Sequence, residues 1–216
     1  MNDDRTRIAQ LLAGREPIRW VFAGDSITHG AAHTRGWRDY VELFGERVRW
    51  EMQRRRDCVI KTGVSGWKIT DLAADLEWSV LQHRPHVVSI AFGMNDCTAG
   101  ESGLPAFERA MRDTVERTRQ AARSAIILHT PNPVLPSDTT RAGAIGGYVQ
   151  TIRAIASHGV LVDHFHLWTG ADASPARWLS DAIHPNELGH RLLARALFRT
   201  LGIDDPGSGT GRLAVV

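Results

Sequence analysis

The sequence predicts an α/β protein, a three-layer αβα sandwich in which helices cover both faces of a parallel sheet. Two observations carry this prediction: short apolar runs alternate with longer stretches of helical period, and the runs themselves are almost wholly apolar. Such runs are typical of strands buried on both faces, and the alternation with helices favours parallel pairing through right-handed crossovers. The runs are IRWVFA (18–23), CVIKT (58–62), HVVSIAF (86–92), AIILHT (125–130) and VLVDHF (160–165).

The stretches between these runs show helical periodicity. In the third stretch, small and apolar residues recur at spacings of three and four, as at Phe107, Ala110 and Met111, and charged residues fill the opposite face. Pro105 suits the first turn of this helix, where a backbone N–H has no partner within the helix. The predicted helices lie near 37–55, 69–83, 105–123, 141–157 and 187–201.

The length and net charge of the chain limit how many domains it can form and which partners it can bind. The 216 residues fit one α/β domain, which we place at residues 1–203, and the Gly, Asp and Pro content after it predicts a flexible tail at 204–216. A net charge of +2 is too small to indicate a nucleic acid or an anionic membrane surface as partner. The sequence has no apolar run long enough for a membrane span and no apolar signal core near its start, so we expect a cytoplasmic protein.

The cysteines and histidines do not indicate a metal site. Cys58 and Cys97 adjoin predicted strands and are expected to be small buried thiols. His164 and His166 fall on one face of the fifth predicted strand, but no third ligand lies near them. The sequence also has no P-loop and no G-x-G-x-x-G after its first strand, so we expect neither a metal nor a cofactor.

Polar motifs follow the first two predicted strands. Gly24 permits a sharp turn after strand one, and Ser26 then opens a segment whose free N–H groups can receive an anion. A helix cap is the alternative interpretation of this serine. After strand two comes TGVSGW, where the backbone can approach a cleft closely and the Gly66 N–H can point into it.

Two more motifs follow the third strand and precede the last helix. In FGMNDC, Asn95 carries an amide that can donate a hydrogen bond, although Asn-Asp also makes ordinary turns. In LSDAIHPN, Asp181 and His184 are close enough for the carboxylate to hold the histidine ring. His184 precedes Pro185, which disfavours helical angles and predicts a loop position.

Together these motifs predict chemistry at one edge of the sheet, because ligands of parallel α/β sheets bind beyond the carboxyl ends of the strands. A serine, extra hydrogen-bond donors and an acid–base pair are what acyl transfer requires. The hydroxyl needs a base, the imidazolium needs an oriented carboxylate, and the tetrahedral oxyanion needs donors.

The four motifs also carry a family resemblance. GDSIT, GVSG, GMND and DAIHP resemble, in order, the four blocks of the SGNH or GDSL-type esterases and lipases, and they extend over residues 24–185. One departure is Ala182, where the family often has glycine. The resemblance implies a flavodoxin-like fold with a five-stranded parallel sheet. A G-x-S-x-G elbow does not occur in the sequence, which argues against the α/β-hydrolase fold.

The resemblance assigns roles to the motif residues. It implies Ser26 as nucleophile, His184 as general base and Asp181 as the carboxylate that orients it. The oxyanion hole would consist of the Ser26 and Gly66 backbone N–H groups and the Asn95 side chain. Asp25 and Asp96 are expected to fix loop geometry through backbone hydrogen bonds.

Four further residues are candidates for substrate contacts. Trp67 and Met94 neighbour the expected oxyanion donors and can wall the acyl pocket, with core packing as the alternative for each. His33 and Trp37 lie in the loop after the nucleophile and can meet the alcohol part of a substrate.

We expect a serine esterase that acts on a small-molecule ester. The chain has no large hydrophobic insertion to serve as a lipid lid, which favours a short acyl group such as acetyl on a carbohydrate or small metabolite. A lysophospholipase or thioesterase for longer acyl chains is the alternative, and an acyltransferase or a non-catalytic binding module of the same fold is also open.

Overall fold

A five-stranded parallel sheet forms the centre of the protein. The computed structural model describes residues 4–170 and 174–213. The strands are β1 (Arg19–Gly24), β2 (Cys58–Lys61), β3 (Val87–Ala91), β4 (Ala125–His129) and β5 (Val160–Val162). Their order is β2-β1-β3-β4-β5, and every neighbouring pair is parallel. This is the flavodoxin-like order, so the predicted fold class is confirmed, and the switch point where ligands bind lies between β1 and β3.

Helices and short helical turns connect the strands. The helices are α1 (Asp4–Ala13), α2 (Ser26–His29), α3 (Tyr40–Gly45), α4 (Ile69–Ala74), α5 (Leu76–Ser79), α6 (Leu104–Ala122), α7 (Thr139–Ala142), α8 (Ile145–Ile155), α9 (His164–Trp168) and α10 (Glu187–Leu201). A π-helical segment, Glu46–Glu51, continues α3, and 3₁₀ turns lie at Leu81–His83, Asp96–Ala99, Glu101–Gly103, Ala156–His158 and Pro175–Arg177.

Local capping explains where the predicted helices begin. The helix expected near 37–55 starts at Tyr40 because Asp39 caps it. The Asp39 carboxylate accepts the N–H groups of Val41 and Glu42, and the Glu42 side chain accepts the Asp39 N–H in return. The last predicted helix begins as expected, after Asn186 at its N-cap.

The side chains of the central strand β1 divide between two hydrophobic cores. Trp20 and Phe22 point to one face, where α1, α3 and α10 supply the packing partners. Val21 and Ala23 point to the other face, against α4, α6 and α8. This alternation is the period of two that a strand imposes, and burial of both sets explains why the run is apolar throughout.

Strand β2 differs from its prediction as a buried strand. Cys58 and Lys61 are exposed, because β2 lies at an edge of the sheet and pairs with β1 alone. The expectation of a buried thiol is therefore wrong for Cys58 and confirmed for Cys97.

The predicted strand positions of His164 and His166 are also wrong. Strand β5 ends at Val162, and Asp163 then caps α9 by accepting the His166 N–H. His164 is buried at the start of this helix and His166 is exposed. A capping aspartate thus ends the strand three residues before the end of the predicted run.

The segment after α10 is held against the protein. Thr210 is buried, and its N–H and hydroxyl donate to Glu51 over 2.7 and 2.6 Å. Leu213 packs against the core that contains α1 and α10. These contacts hold part of residues 204–213 against the protein, and the flexible tail stays a prediction. Residues 214–216 lie outside the described residues.

The described part of the chain contains no helix that combines the length and the apolar character needed to cross a bilayer.

Candidate active site

Ser26 stands where β1 ends and α2 begins. Asp25 precedes it as the N-cap, and its carboxylate accepts a backbone N–H of α2 over 2.9 Å. Gly24 is needed for close packing, since a Cβ there would lie 2.1 Å from Thr28 Oγ1 and 2.9 Å from the Ala91 carbonyl oxygen. Both features fix the turn, so Ser26 is presented at the carboxyl edge of the sheet with 7% of its surface exposed.

Asp181 and His184 lie on the loop before α10. One carboxylate oxygen of Asp181 accepts the N–H groups of Ile183 and His184, each over 2.8 Å. Because these bonds close tight local turns, the other oxygen is left to face the His184 ring. Pro185 follows, and the loop passes into α10 through the Asn186 cap.

Polar side chains and backbone groups hold this loop from outside. Asn132, which follows β4, is buried and donates to the Ile183 carbonyl over 3.0 Å. The Leu135 N–H donates to the Ala182 carbonyl over 2.9 Å, so the residue that departs from the family pattern is anchored by its backbone. Sequence reasoning missed Asn132; the signal that could have found it is a polar residue between two prolines just after a strand.

Three side chains join in a hydrogen-bonded chain, which we call the relay. The Ser26 Oγ lies 3.0 Å from His184 Nε2, and His184 Nδ1 lies 2.7 Å from Asp181 Oδ2. An ionised carboxylate can only accept, so the proton belongs on Nδ1, and Nε2 is left free to accept the serine hydroxyl. The structure thus brings together the serine, histidine and aspartate that the motifs singled out.

The electrostatics of Asp181 suit this arrangement. Partial burial alone would raise the pKa of its carboxyl, but the N–H groups of Ile183 and His184 and the His184 ring outweigh that effect and lower the pKa. Asp181 therefore stays ionised at neutral pH and keeps its charge beside the ring.

Three donors remain available beside Ser26. The backbone N–H groups of Ser26 and Gly66 donate no hydrogen bond within residues 4–170 and 174–213. Gly66 has a φ of +85°, a left-handed conformation that glycine adopts without strain. The Asn95 amide uses one N–H on the Trp67 carbonyl, at 3.0 Å, which leaves its second N–H for another acceptor.

Contacts between the loops bring these donors to the same edge of the sheet. The His29 ring, on α2, is 3.0 Å from the Ser65 hydroxyl, next to Gly66. The Val64 N–H also donates to the Gly24 carbonyl over 3.0 Å. The loop after β2 is therefore attached to the turn that carries the serine.

The expectation that Asp25 and Asp96 fix loop geometry is confirmed. Besides the Asp25 cap, Asp96 accepts the Ile69 N–H over 2.9 Å and the Gly93 N–H over 3.0 Å, which joins the loops after β2 and β3. Burial raises the pKa of Asp25 to about 7, and the charge of Asp96 adds to the effect. Neither carboxyl hydrogen bonds to a relay side chain among the described residues.

The structure places His33 against the relay and Met94 under the turn that carries the serine. The His33 ring stacks on the His184 ring, with centroids 3.4 Å apart. Met94 is only 1% exposed and lines a small pocket with Asp25 and Ile27. Met94 therefore packs under the serine turn, and a substrate contact by either His33 or Met94 stays a prediction.

The two tryptophan candidates lie on the surface. Trp67 is half-buried beside α4, and its carbonyl accepts the Asn95 amide. Trp37 is 60% exposed and lines a surface groove with Leu43 and Leu213, next to the start of α10. A substrate contact by either tryptophan stays a prediction.

One group of three residues in the described part of the chain has ligand atoms close enough for a metal ion. These atoms belong to His33, Asp181 and His184 and lie within 4.8 Å of one another. Because the relay already uses Asp181 and His184, we assign no metal to this group.

The flavodoxin-like sheet and the relay at its carboxyl edge together define the class of the serine hydrolases. A sequence model of the GDSL-like Lipase/Acylhydrolase family matches residues 22–192. The chain therefore belongs to this family and is a carboxylic ester hydrolase.

Similar proteins support the same class. The acetylxylan esterase of Geobacillus stearothermophilus is 28% identical over 211 residues, which cover 85% of this chain and 94% of that protein. A crystal structure of this esterase superposes with a TM-score of 0.68 at 27% identity, covering 86% of this chain and 94% of the other. An alpha/beta hydrolase enzyme from the metagenome of Lake Arreo, Spain, superposes with a TM-score of 0.71 at 26% identity, covering 88% and 98%.

Further structures of the Geobacillus esterase are described as catalytic mutants. In these, alanine replaces a serine, an aspartate or a histidine, and the TM-scores to this chain lie between 0.68 and 0.71.

Proposed function

We propose that this protein is a serine esterase that removes short acyl groups, acetyl above all, from a carbohydrate or a small metabolite. The relay from Ser26 through His184 to Asp181 carries the proposal, because it supplies a nucleophile, a base and a charge for the base in one hydrogen-bonded line. The catalytic mutants of the Geobacillus esterase support the same three residue types.

Acylation begins with attack of the Ser26 hydroxyl on the ester carbonyl carbon. His184 Nε2, at 3.0 Å, takes the hydroxyl proton as the Oγ–carbon bond forms. The imidazolium is stabilised by Asp181, 2.7 Å from Nδ1. The bond to the alcohol oxygen then breaks, and His184 gives its proton to the leaving alcohol, which leaves an acyl group on Ser26.

Deacylation repeats the sequence with water. His184 takes a proton from the water as its oxygen attacks the acyl carbon, and the second tetrahedral intermediate expels Ser26 Oγ. The proton returns to the serine, and the products are a carboxylic acid and the free enzyme.

The oxyanion of each intermediate is assigned to three donors. These are the free N–H groups of Ser26 and Gly66 and the unused N–H of the Asn95 amide. This role is supported because none of these three N–H groups donates to an acceptor among the described residues. Such a donor typically contributes about 3 kcal/mol, or a hundredfold or more in rate.

A short acyl group on a carbohydrate fits two observations. The similar esterases act on acetylxylan or acetyl-xylooligosaccharide, as their names state. In addition, the chain has no large hydrophobic insertion that could serve as a lid over a long acyl chain. The alternative, a lysophospholipase or thioesterase, needs a long apolar path for its acyl chain.

A substrate series tests the proposal. Rates with p-nitrophenyl esters from acetate to laurate, and acetate release from acetylated xylo-oligosaccharides, are measured beside the Ser26→Ala variant. We expect kcat/KM to be highest for acetate, acetate release from the oligosaccharide, and no turnover by the variant. A maximum at laurate would favour the longer-chain alternative, and no turnover by folded wild type would favour a binding module.

A further inference from the structure

His33 covers one face of the His184 ring. The two imidazole rings are parallel within 3°, and their centroids are 3.4 Å apart, which is direct contact. His33 Nδ1 lies 3.7 Å from Asp181 Oδ2, too far for a hydrogen bond, and the same oxygen is 2.7 Å from His184 Nδ1. His33 therefore touches the relay through its ring face and leaves the hydrogen bond to His184.

The turn that carries His33 is built to hold it there. Ala32 and Arg35, on either side, have φ values of 58° and 51°, in the left-handed region that side chains other than glycine rarely adopt. The Ser180 hydroxyl donates to the His33 carbonyl over 2.8 Å, which ties this turn to the residue before Asp181. Strained residues persist only where the surrounding structure holds them in place. The backbone of His33 is therefore fixed both by its own turn and by the hydrogen bond from Ser180.

The surroundings keep His33 uncharged at neutral pH. Partial burial and the charge of protonated His184 lower the pKa of His33, and Asp181 opposes them without reversing the shift. Among the described residues, the charge of His33 also acts on His190 of α10, and burial lowers the pKa of His190 to about 3. A neutral ring thus lies against the ring that becomes positively charged when it takes the serine proton.

We propose that His33 is a positioning residue, whose stacked ring holds His184 in line between Ser26 and Asp181. The stack restricts rotation of the His184 ring and removes water from one of its faces. This inference rests on the proposed function, since alignment of His184 matters only if it is the base. It replaces the substrate contact that the sequence suggested for His33.

Two variants separate the stack from other roles. His33→Ala removes the ring, and His33→Phe keeps a flat ring that cannot titrate or bond to a substrate hydroxyl. With p-nitrophenyl acetate we expect His33→Ala to lower kcat roughly 10- to 100-fold with little change in KM, because misplacement of a reacting group costs rates of this order. We expect His33→Phe to recover most of kcat.

The rate of reaction with a fluorophosphonate measures how strongly the relay activates Ser26, and it does not depend on recognition of a sugar. The rate at which Ser26 is labelled should fall in His33→Ala and recover in His33→Phe. The downfield NMR signal of the His184 Nδ1 proton should broaden in His33→Ala and sharpen again in His33→Phe. His166→Ala, which removes an exposed histidine on α9, is the matched control and should change none of these values.

The outcomes distinguish this inference from the proposed function. In His33→Ala, an increase in KM with unchanged kcat would assign His33 to substrate binding and overturn the inference. Unchanged kcat together with an unchanged labelling rate would also overturn it. If His33→Ala does not fold, His33→Gln, which also lacks a flat ring, decides by the same criteria. Absence of labelling in wild type would instead contradict the proposed function itself.

Discussion

Ser26 stands at the end of a strand buried on both faces, whereas Asp181 and His184 stand on a loop outside regular secondary structure. Sterics fix the serine side: a Cβ on Gly24 would meet Thr28 and the neighbouring strand, and one on Gly63 would lie 2.6 Å from the backbone of α2. Hydrogen bonds fix the histidine side, through the Asp181 carboxylate and the bonds from the loop after β4.

This difference determines how each side of the relay can fail. Close packing around the serine turn leaves no room for an extra atom, so a larger side chain there should reduce stability and activity. A hydrogen-bonded loop depends on each acceptor having its donor, so the histidine side should respond to loss of charge or of a single bond. The following expected outcomes test this contrast, from the largest effect to the smallest.

Asp181→Asn should have the largest effect. We expect kcat to fall about 10⁴-fold, because an amide neither stabilises the imidazolium nor enforces the proton on Nδ1. KM for an aryl acetate should change little, and the melting temperature should show that the fold remains. A loss of tenfold or less would mean that the charge of Asp181 has no part in the reaction.

Asn95→Ala removes one proposed oxyanion donor. We expect kcat to fall about 10²- to 10³-fold, equivalent to about 3 to 4 kcal/mol of transition-state stabilisation. Thr98→Ala is the control, because among the described residues the Thr98 hydroxyl donates only to the Asn95 carbonyl, over 2.8 Å. Equal rates for the two variants would remove Asn95 from the oxyanion hole.

Gly24→Ala tests the steric side. The added methyl would meet Thr28 Oγ1 at 2.1 Å and a backbone oxygen of β3 at 2.9 Å, so the turn must shift. We expect a loss of about 1–3 kcal/mol in the free energy of unfolding, together with lower activity, measured by denaturant titration and ester hydrolysis.

Gly146→Ala is the matched control for this substitution. Gly146 lies in α8, and a Cβ there would meet nothing within 4 Å. Stability should therefore stay unchanged or rise slightly, because alanine favours a helix. If both variants are equally stable, close packing at Gly24 does not position the serine.

The buried histidines should make stability depend on pH. Burial lowers the pKa of His164 and of His190 to about 3, from 6.5, so between these values the unfolded chain binds protons that the folded chain does not. Stability therefore falls as the pH is lowered through this window. Asp25 and Asp96 act in the opposite direction, since burial raises the pKa of both, to about 7 for Asp25. Burial also lowers the pKa of His129, so three buried histidines oppose these two carboxyls.

Melting temperatures between pH 7 and 4 measure this dependence. We expect a decrease towards pH 4 in wild type and a shallower decrease in His164→Gln. His166→Gln, which alters an exposed histidine, should keep the wild-type slope. Identical slopes in all three proteins would show that protonation of His164 is not linked to unfolding.

Local patterns explain why much of the fold could be predicted from the sequence. The apolar run before Gly24 and the periodicity around Phe107 are encoded by neighbouring residues, and β1 and α6 lie within about one residue of their predicted bounds. The exposure of β2 could not be predicted, because it depends on which strand lies at the edge. His164 was misplaced because its cap, Asp163, interrupts an otherwise apolar run.

The same contrast holds for the site. The four motifs predicted the side chains of the relay, because each follows a strand or precedes a helix in a local pattern. Asn132 and His33 could not be placed in this way. The stack of His33 on His184 depends on two left-handed residues and on a loop far away in the sequence, and no local pattern encodes either contact.

Labelling with a fluorophosphonate, followed by intact mass, tests the central claim most directly, because the reagent reacts with a serine only when a base activates it. Wild type should gain a single adduct, Ser26→Ala should gain none, and His184→Ala should react far more slowly. No adduct on folded wild type, or an adduct that persists in Ser26→Ala, would contradict the assignment of Ser26 as the nucleophile.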